Sequence, residues 1–166
     1  DVQDGVNPGV YAQRFGAGGA KSGQEFRVNT WVPFAQERPE AATLAAGGFV
    51  VAWESLSQDG EGEGVYAQRF DSQARPAGAE FRVNTATAYH QEQVSVAGLA
   101  DGGFLVTWNT TPLVQSTGVG ASGVYAQRFS AAGVAVGPEL RVNSATAGEQ
   151  SYPQVAGLSD GGYVIV

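Results

Sequence analysis

The 166-residue sequence has no cysteine, no methionine, one histidine, and nine Lys and Arg residues against 16 Asp and Glu residues. The lack of Cys excludes disulfides and thiolate chemistry, and it is compatible with an exported bacterial protein. A formal net charge of −7 argues against nucleic-acid binding, because phosphate recognition uses clustered cations that release counterions. No apolar run approaches the roughly 20 residues that cross a bilayer, so we expect no membrane span.

The single histidine also limits the chemistry that the sequence predicts. Without a second His or any Cys, His90 completes neither a nucleophilic triad nor a zinc site, and we expect it to be a surface residue. The paired carboxylates of a glycoside hydrolase are defined by spatial separation, so the sequence alone does not identify them. The sequence therefore favours a protein that is not an enzyme.

What the sequence has in abundance is repetition. The heptapeptide Gly-Val-Tyr-Ala-Gln-Arg-Phe stands unchanged at 9–15, 64–70 and 123–129. Such recurrence indicates that one supersecondary unit has been copied. We therefore predict a single repeat domain over 1–166, with copies at approximately 1–55, 56–114 and 115–166.

Each copy reads as four short β-strands, of which the heptapeptide is the first. The second strand is predicted at 25–30, 80–85 and 139–144, where apolar residues alternate with polar ones. A short third strand ends at Leu44, Leu99 and Leu158, and Asp-Gly-Gly turns in the second and third copies lead into a fourth. The fourth strand, at 48–53, 103–108 and 162–166, is apolar throughout, which is typical of a strand covered on both faces. With no helical periodicity, the class is all-β.

Tandem four-stranded units predict a β-propeller-like array of antiparallel blades. The alternative is a β-trefoil, which also uses three four-stranded units and closes with three. The first copy begins, and the third ends, part-way through the repeat. We therefore expect one blade to be split between the termini, so that its halves complete each other within a ring or between two copies of the chain. The alternative is that the chain is a piece of a longer array.

Two sets of residues are candidate binding sites. The acidic loop residues Asp59, Glu61 and Glu63 place oxygen ligands at alternate positions, which suits calcium. A solvated turn is the simpler interpretation, because calcium takes about 6 to 8 oxygen ligands and this loop offers few. The aromatic residues Trp31, Tyr89 and Tyr152 follow the second strands and are candidates for stacking on sugar rings, with packing between blades as the alternative.

The run 101–108, the loop 57–64, the heptapeptide and the segment 80–85 resemble tandem repeats of very large secreted bacterial proteins, known as adhesin-like or hemolysin-type calcium-binding proteins. The resemblance covers nearly the whole chain. It implies a propeller-like fold and an extracellular or cell-surface location, commonly beside type I secretion signals. The Gly-Gly-x-Gly-x-Asp nonapeptide that binds calcium in that class is absent from this sequence, so the resemblance does not itself place calcium here.

From these observations we expect a non-enzymatic, secreted or cell-surface module that offers a rigid acidic surface for interaction or self-assembly. The expected partners are a protein, a surface glycan or further copies of the chain, and calcium is the one cofactor considered. A lectin-like propeller and a hydrolase carried on a propeller are the alternatives.

Overall fold

The structure, a computed structural model, describes residues 7–60, 62–111, 123–145 and 148–166, and within these ranges it contains β-strands and no helix. The predicted all-β class is confirmed. The strands are β1 Tyr11–Ala12, β2 Phe26–Arg27, β3 Gln36–Thr43, β4 Phe49–Leu56, β5 Glu63–Phe70, β6 Phe81–Arg82, β7 His90–Gly98, β8 Phe104–Thr111, β9 Gly123–Phe129, β10 Leu140–Arg141, β11 Val155–Gly157 and β12 Tyr163–Ile165.

The strands form two complete antiparallel sheets and two half-sheets. The complete sheets run β3-β4-β5-β6 and β7-β8-β9-β10, and the half-sheets are β1-β2 and β11-β12. The sheets are separate in the described ranges, so these residues do not form the closed barrel that the trefoil alternative requires. Each complete sheet takes its first two strands from one copy of the repeat and its last two from the next copy, so the sheets straddle the sequence boundaries.

The heptapeptide forms β5 and β9, and its side chains alternate between the two faces of a sheet. Val65 and Ala67 enter the core between the two complete sheets, whereas Tyr66 and Phe70 enter the core shared with the β1-β2 half-sheet. Phe70 stacks on Phe49 with ring centroids 5.0 Å apart. Burial on both faces explains why β4 begins with an unbroken apolar run from Phe49 to Trp53.

The buried Gln of the heptapeptide closes the link that follows the strand. In β5, the amide of Gln68 donates hydrogen bonds to the carbonyls of Arg69 and Gly78. Gln13 and Gln127 make the same pair of bonds in the other copies. A buried amide must be hydrogen-bonded, so these bonds fix each link against its own strand.

The inner strands β3, β7 and β11 lie side by side, each belonging to a different sheet. Their approach is closest at a glycine: a Cβ atom added at Gly98 of β7 would lie 2.0 Å from the carbonyl oxygen of Thr43 in β3. Gly157 of β11 meets the carbonyl of Gly98 in the same way, at 2.4 Å. The absence of a side chain at these positions lets neighbouring sheets come together.

Two strand lengths differ from those that the sequence predicts. The second strand has two residues and not six, because the side chain of the Asn at its end takes over the next ladder bond: Asn84 Oδ1 accepts the N–H of Val65. In the first two copies the third strand is longer than predicted. It begins at Gln36 in the first copy and at His90 in the second. A β-bulge interrupts its pairing, so the two-residue alternation that identifies a strand is lost there.

Candidate functional site

The clearest group of functional side chains lies where the second complete sheet meets the first. It is held there by a hydrogen bond between the side-chain amides of Asn84 and Gln91, which we call the latch. Asn84 Nδ2 donates to Gln91 Oε1 at 3.1 Å and to the carbonyl of Ala86. Gln91 Nε2 then donates to the carbonyls of Ala88 and Tyr89. Both side chains are buried, so the latch fixes the turn that delivers the next residue, His90, at the start of β7.

His90 meets two carboxylates at that point. Nδ1 of His90 contacts the carboxylate of Glu63 on β5, and it lies 3.8 Å from Oε1 of Glu92. One ligating atom from each of the three residues falls within 4.8 Å of the others. The side chains are 25–28% exposed. We call Glu63, His90 and Glu92 the triad.

The triad occurs once in the chain and is not part of the repeat. At the positions equivalent to Glu63, His90 and Glu92, the first copy carries Pro8, Ala35 and Glu37, and the third copy carries Ser122, Glu149 and Ser151. The sequence predicts a surface position for His90, which is 26% exposed, but it does not predict the carboxylate partners. Comparing the copies position by position would have singled it out.

A buried carboxylate links the same two sheets beside the triad. Glu54 of β4 is 3% exposed and accepts hydrogen bonds from Nη1 of Arg38 at 2.8 Å and from the N–H of Gln93 at 2.6 Å. Burial raises the pKa of Glu54 above its ordinary value near 4.5, although both bonds act in the opposite direction. Glu54 in turn raises the pKa of Arg38. Because the Arg38 side chain is 61% exposed, its charge does not offset the effect of burial on the pKa of Glu54.

The raised pKa predicts how Glu54 affects stability across pH. Its proton is held more tightly in the folded chain than in the unfolded chain, so its contribution is complete below the unfolded pKa and is lost as pH rises through the folded pKa. We expect the unfolding free energy of the wild type, minus that of Glu54→Gln, to fall as pH rises above the ordinary glutamate pKa near 4.5. Urea denaturation at several pH values measures this difference, and a rise with pH would contradict the assignment.

The inner strands also border an open cleft of about 510 Å³. It is lined by Arg38, Pro39, Glu40, Glu92, Gln93, Val94, Tyr152 and Gln154. Tyr152 is 73% exposed there, and its N–H donates to Oε1 of Gln93. The cleft therefore has one aromatic ring beside polar and charged groups.

The three aromatic residues predicted to bind sugars have different surroundings. Tyr152 lines the cleft, and Tyr89 is 41% exposed in the turn closed by Gln91. Trp31 is half-buried, and its Nε1 is buried with no hydrogen-bond partner in the described part of the chain. They follow Asn29, Asn84 and Asn143 at three different spacings, so they are not equivalent positions of the repeat. Sugar binding by these residues stays a prediction.

The predicted calcium loop is divided between two environments. Asp59 accepts a hydrogen bond from Nδ2 of Asn84 through Oδ2, whereas its Oδ1 is buried and has no partner within the described ranges. Glu63 belongs to the triad, and Glu61 lies outside the described residues. Calcium binding by Asp59, Glu61 and Glu63 stays a prediction.

Asp101 and Asp160 act in the turns before the fourth strands. Oδ1 of Asp101 accepts the N–H of Gly103 at 3.0 Å, and Oδ1 of Asp160 accepts the N–H of Gly162 at 2.9 Å. These bonds stabilise the Asp-Gly-Gly hairpins. Over the described residues, the structure contains no helix of the length and hydrophobicity needed to span a membrane.

Comparison with known proteins bears on the fold alone. No protein-family model matches the sequence, and no curated protein matches it. The crystal structure of a protein of unknown function from Dyadobacter fermentans DSM 18053 is similar, with a TM-score of 0.51 and 12% sequence identity over 76% of this chain. The match spans 44% of that protein's length.

Proposed function

We propose that the chain is a non-enzymatic interaction module of a secreted or cell-surface bacterial protein, built as a propeller-like array that assembles with further copies of itself. The extracellular location is supported by the resemblance of its repeats to those of large secreted bacterial proteins. The assembly is supported by one observation above all: the chain carries two half-sheets, and each has the strands that the other is missing.

The packing of the sheets supports the propeller-like arrangement. Three apolar cores follow one another along the chain: one between β1-β2 and the first complete sheet, one between the two complete sheets, and one between the second complete sheet and β11-β12. Each sheet therefore covers the face of its neighbour, and the inner strands stay adjacent. Propeller blades pack in this way, because no blade can bury both of its faces alone.

The complete sheets supply the pattern for joining the half-sheets. Strand β12 corresponds to β4 and β8, and β1 corresponds to β5 and β9. In both complete sheets these strands pair in the same register, and an aromatic pair stacks at one end: Phe49 with Phe70 and Phe104 with Phe129. The same register would place Tyr163 of β12 opposite Phe15 beyond β1.

The edges of the half-sheets fit this pairing. Val166 exchanges both backbone hydrogen bonds with Gln154, at 3.0 Å each, so by antiparallel alternation the N–H and carbonyl of Ile165 point to the other side of β12. In the described residues no strand lies on that side. Phe15 is 60% exposed and Tyr163 39%, whereas Phe70 and Phe129 are 2% and 3% exposed. Pairing the edges would bury these rings.

The second half of the joined blade comes from another copy of the chain. The half-sheets stand at opposite ends of the series, with two complete sheets between them. One copy would have to close a ring of only three blades to pair them, fewer than the roughly four to eight of known propellers. Two copies joined at both ends give six blades, within that range.

Light scattering coupled to gel filtration tests the assembly. We expect the wild-type mass to exceed the 17.1 kDa of one chain and to rise with concentration, and we expect Phe15→Asp to return it to one chain. The substitution places a charge where a buried aromatic pair has to form, while Phe15 is exposed in the single copy.

Val134→Asp is the matched control for the assembly. Val134 is 64% exposed and lies on neither open edge, so the same loss of apolar surface should leave the assembled mass unchanged. A wild-type chain that stays at 17.1 kDa up to high micromolar concentration would contradict the proposal. So would a Phe15→Asp chain with the mass of the wild type.

A further inference from the structure

We propose that the triad of Glu63, His90 and Glu92 binds a divalent first-row transition-metal ion, with Zn²⁺ as the representative ion. This site is separate from the open strand edges through which the chain is proposed to assemble. It joins the two complete sheets, since Glu63 belongs to β5 of the first, and His90 and Glu92 belong to β7 of the second.

The separations within the triad suit one shared ion. Zinc binds imidazole nitrogen and carboxylate oxygen at about 2.0–2.2 Å, so two atoms bound to one ion lie at most about 4.4 Å apart. Nδ1 of His90 contacts the carboxylate of Glu63 and is 3.8 Å from Oε1 of Glu92. One ligating atom from each residue lies within 4.8 Å of the others, so a shared ion requires the Glu63 carboxylate to move away from Nδ1 of His90 and the two carboxylates to turn toward a common centre.

The charges at the site also favour a cation. Two carboxylates face the same imidazole nitrogen while about three-quarters covered, so their mutual repulsion is weakly screened by water. Arg38 is a nearby source of positive charge, but its Nη1 donates to Glu54. A divalent ion between Glu63 and Glu92 would neutralise both carboxylates.

A second, independent feature points to a ligand beside Glu92. Asn109 is directly opposite Glu92 in the β7-β8 ladder, and opposite residues leave the same face of a sheet with Cβ atoms about 5 Å apart. Asn109 is 1% exposed, and neither its Oδ1 nor its Nδ2 has a hydrogen-bond partner among the residues that the structure describes. Metal-binding carboxylates are commonly held by such outer groups, so the amide is placed to orient Glu92 once an ion is bound.

The donor set decides between classes of ion. One imidazole nitrogen with two carboxylates suits zinc and its neighbours, whereas calcium requires about six to eight oxygen ligands. Three protein ligands leave at least one position of a tetrahedral ion for water or for a donor from a partner. The site is therefore different in kind from a calcium loop at Asp59, Glu61 and Glu63.

Calorimetric titration of the chelator-treated full chain with Zn²⁺ at neutral pH tests the site. We expect one ion per chain for the wild type, and at least about tenfold weaker binding for His90→Asn and for Glu92→Gln, since each removes one of three ligands. Titration with Ca²⁺ under the same conditions should show weaker binding than Zn²⁺.

Glu37→Gln is the matched control for Glu92→Gln. Glu37 occupies the same ladder position in the first complete sheet, opposite Glu54, but Ala35 stands where the second sheet has His90. Zinc affinity should be unchanged in this variant. Thermal melts without metal verify that every variant is folded.

Three results would overturn the metal site. The first is a folded wild type without saturable zinc binding. The second is wild-type affinity in both His90→Asn and Glu92→Gln. The third is tighter binding of Ca²⁺ than of Zn²⁺.

Discussion

Gly98→Ala is expected to lower the free energy of unfolding by about 3 kcal/mol or more, at the upper end of overpacking effects. The added Cβ would lie 2.0 Å from the carbonyl oxygen of Thr43 on the neighbouring sheet. The obstacle is the backbone of Thr43 at the end of β3, which a side-chain rotation cannot relieve, so the sheets would have to move apart. The cores between those sheets would then lose contact along their length.

Urea denaturation followed by tryptophan fluorescence measures the loss, and Gly18→Ala is its control. A Cβ at Gly18 meets nothing within 4 Å, so the same substitution should shift stability by less than about 0.5 kcal/mol. Equal effects of the two substitutions would show that the sheets are not in close contact at Gly98.

Asn84→Ala is expected to cost about 2–4 kcal/mol, because it leaves buried polar groups without partners. Asn84 accepts the N–H of Val65 and donates to Gln91 Oε1, and both Asn84 and Gln91 are at most 2% exposed. Water does not reach these groups to replace the lost bonds. The turn that carries His90 also loses its anchor, so zinc affinity should fall together with stability.

Asn143→Ala provides the matched comparison for the latch. Asn143 makes the equivalent bonds to Val124 and Gln150, but it is partly exposed, so water can replace the lost partners. Its replacement should cost less than half as much in the same denaturation experiment. Equal costs for Asn84→Ala and Asn143→Ala would mean that burial does not set the strength of the latch.

The sequence correctly predicts the strands that their own residue pattern identifies, without contacts to distant parts of the chain. The heptapeptide and the apolar fourth strand have side chains buried on both faces, and they form β5, β9, β4 and β8 close to the predicted bounds. The two hairpins with Asp-Gly-Gly turns also form as predicted. In these segments, local preference and tertiary packing act in the same direction.

The remaining features depend on contacts between distant residues. The short β6 ends because Asn84 accepts the N–H of Val65. In β7, a bulge at Gln93, which has φ 56°, interrupts the alternation of side chains by which a strand is recognised in the sequence. The triad joins Glu63 to His90 across two sheets, and no spacing rule in the sequence encodes that approach. In the sequence, the triad is marked only by residues that differ from the equivalent positions of the other copies, so the copies have to be compared position by position to find it.

Because each complete sheet draws its strands from two successive copies, duplicating one copy in the gene would enlarge the protein without creating a new exposed edge. The inserted strands would complete one additional four-stranded sheet, and the two half-sheets would be the same as before. If the half-sheets join as proposed, variants with different copy numbers should remain able to join one another, and recombination would change the diameter of the proposed assembly while preserving the contacts between its subunits.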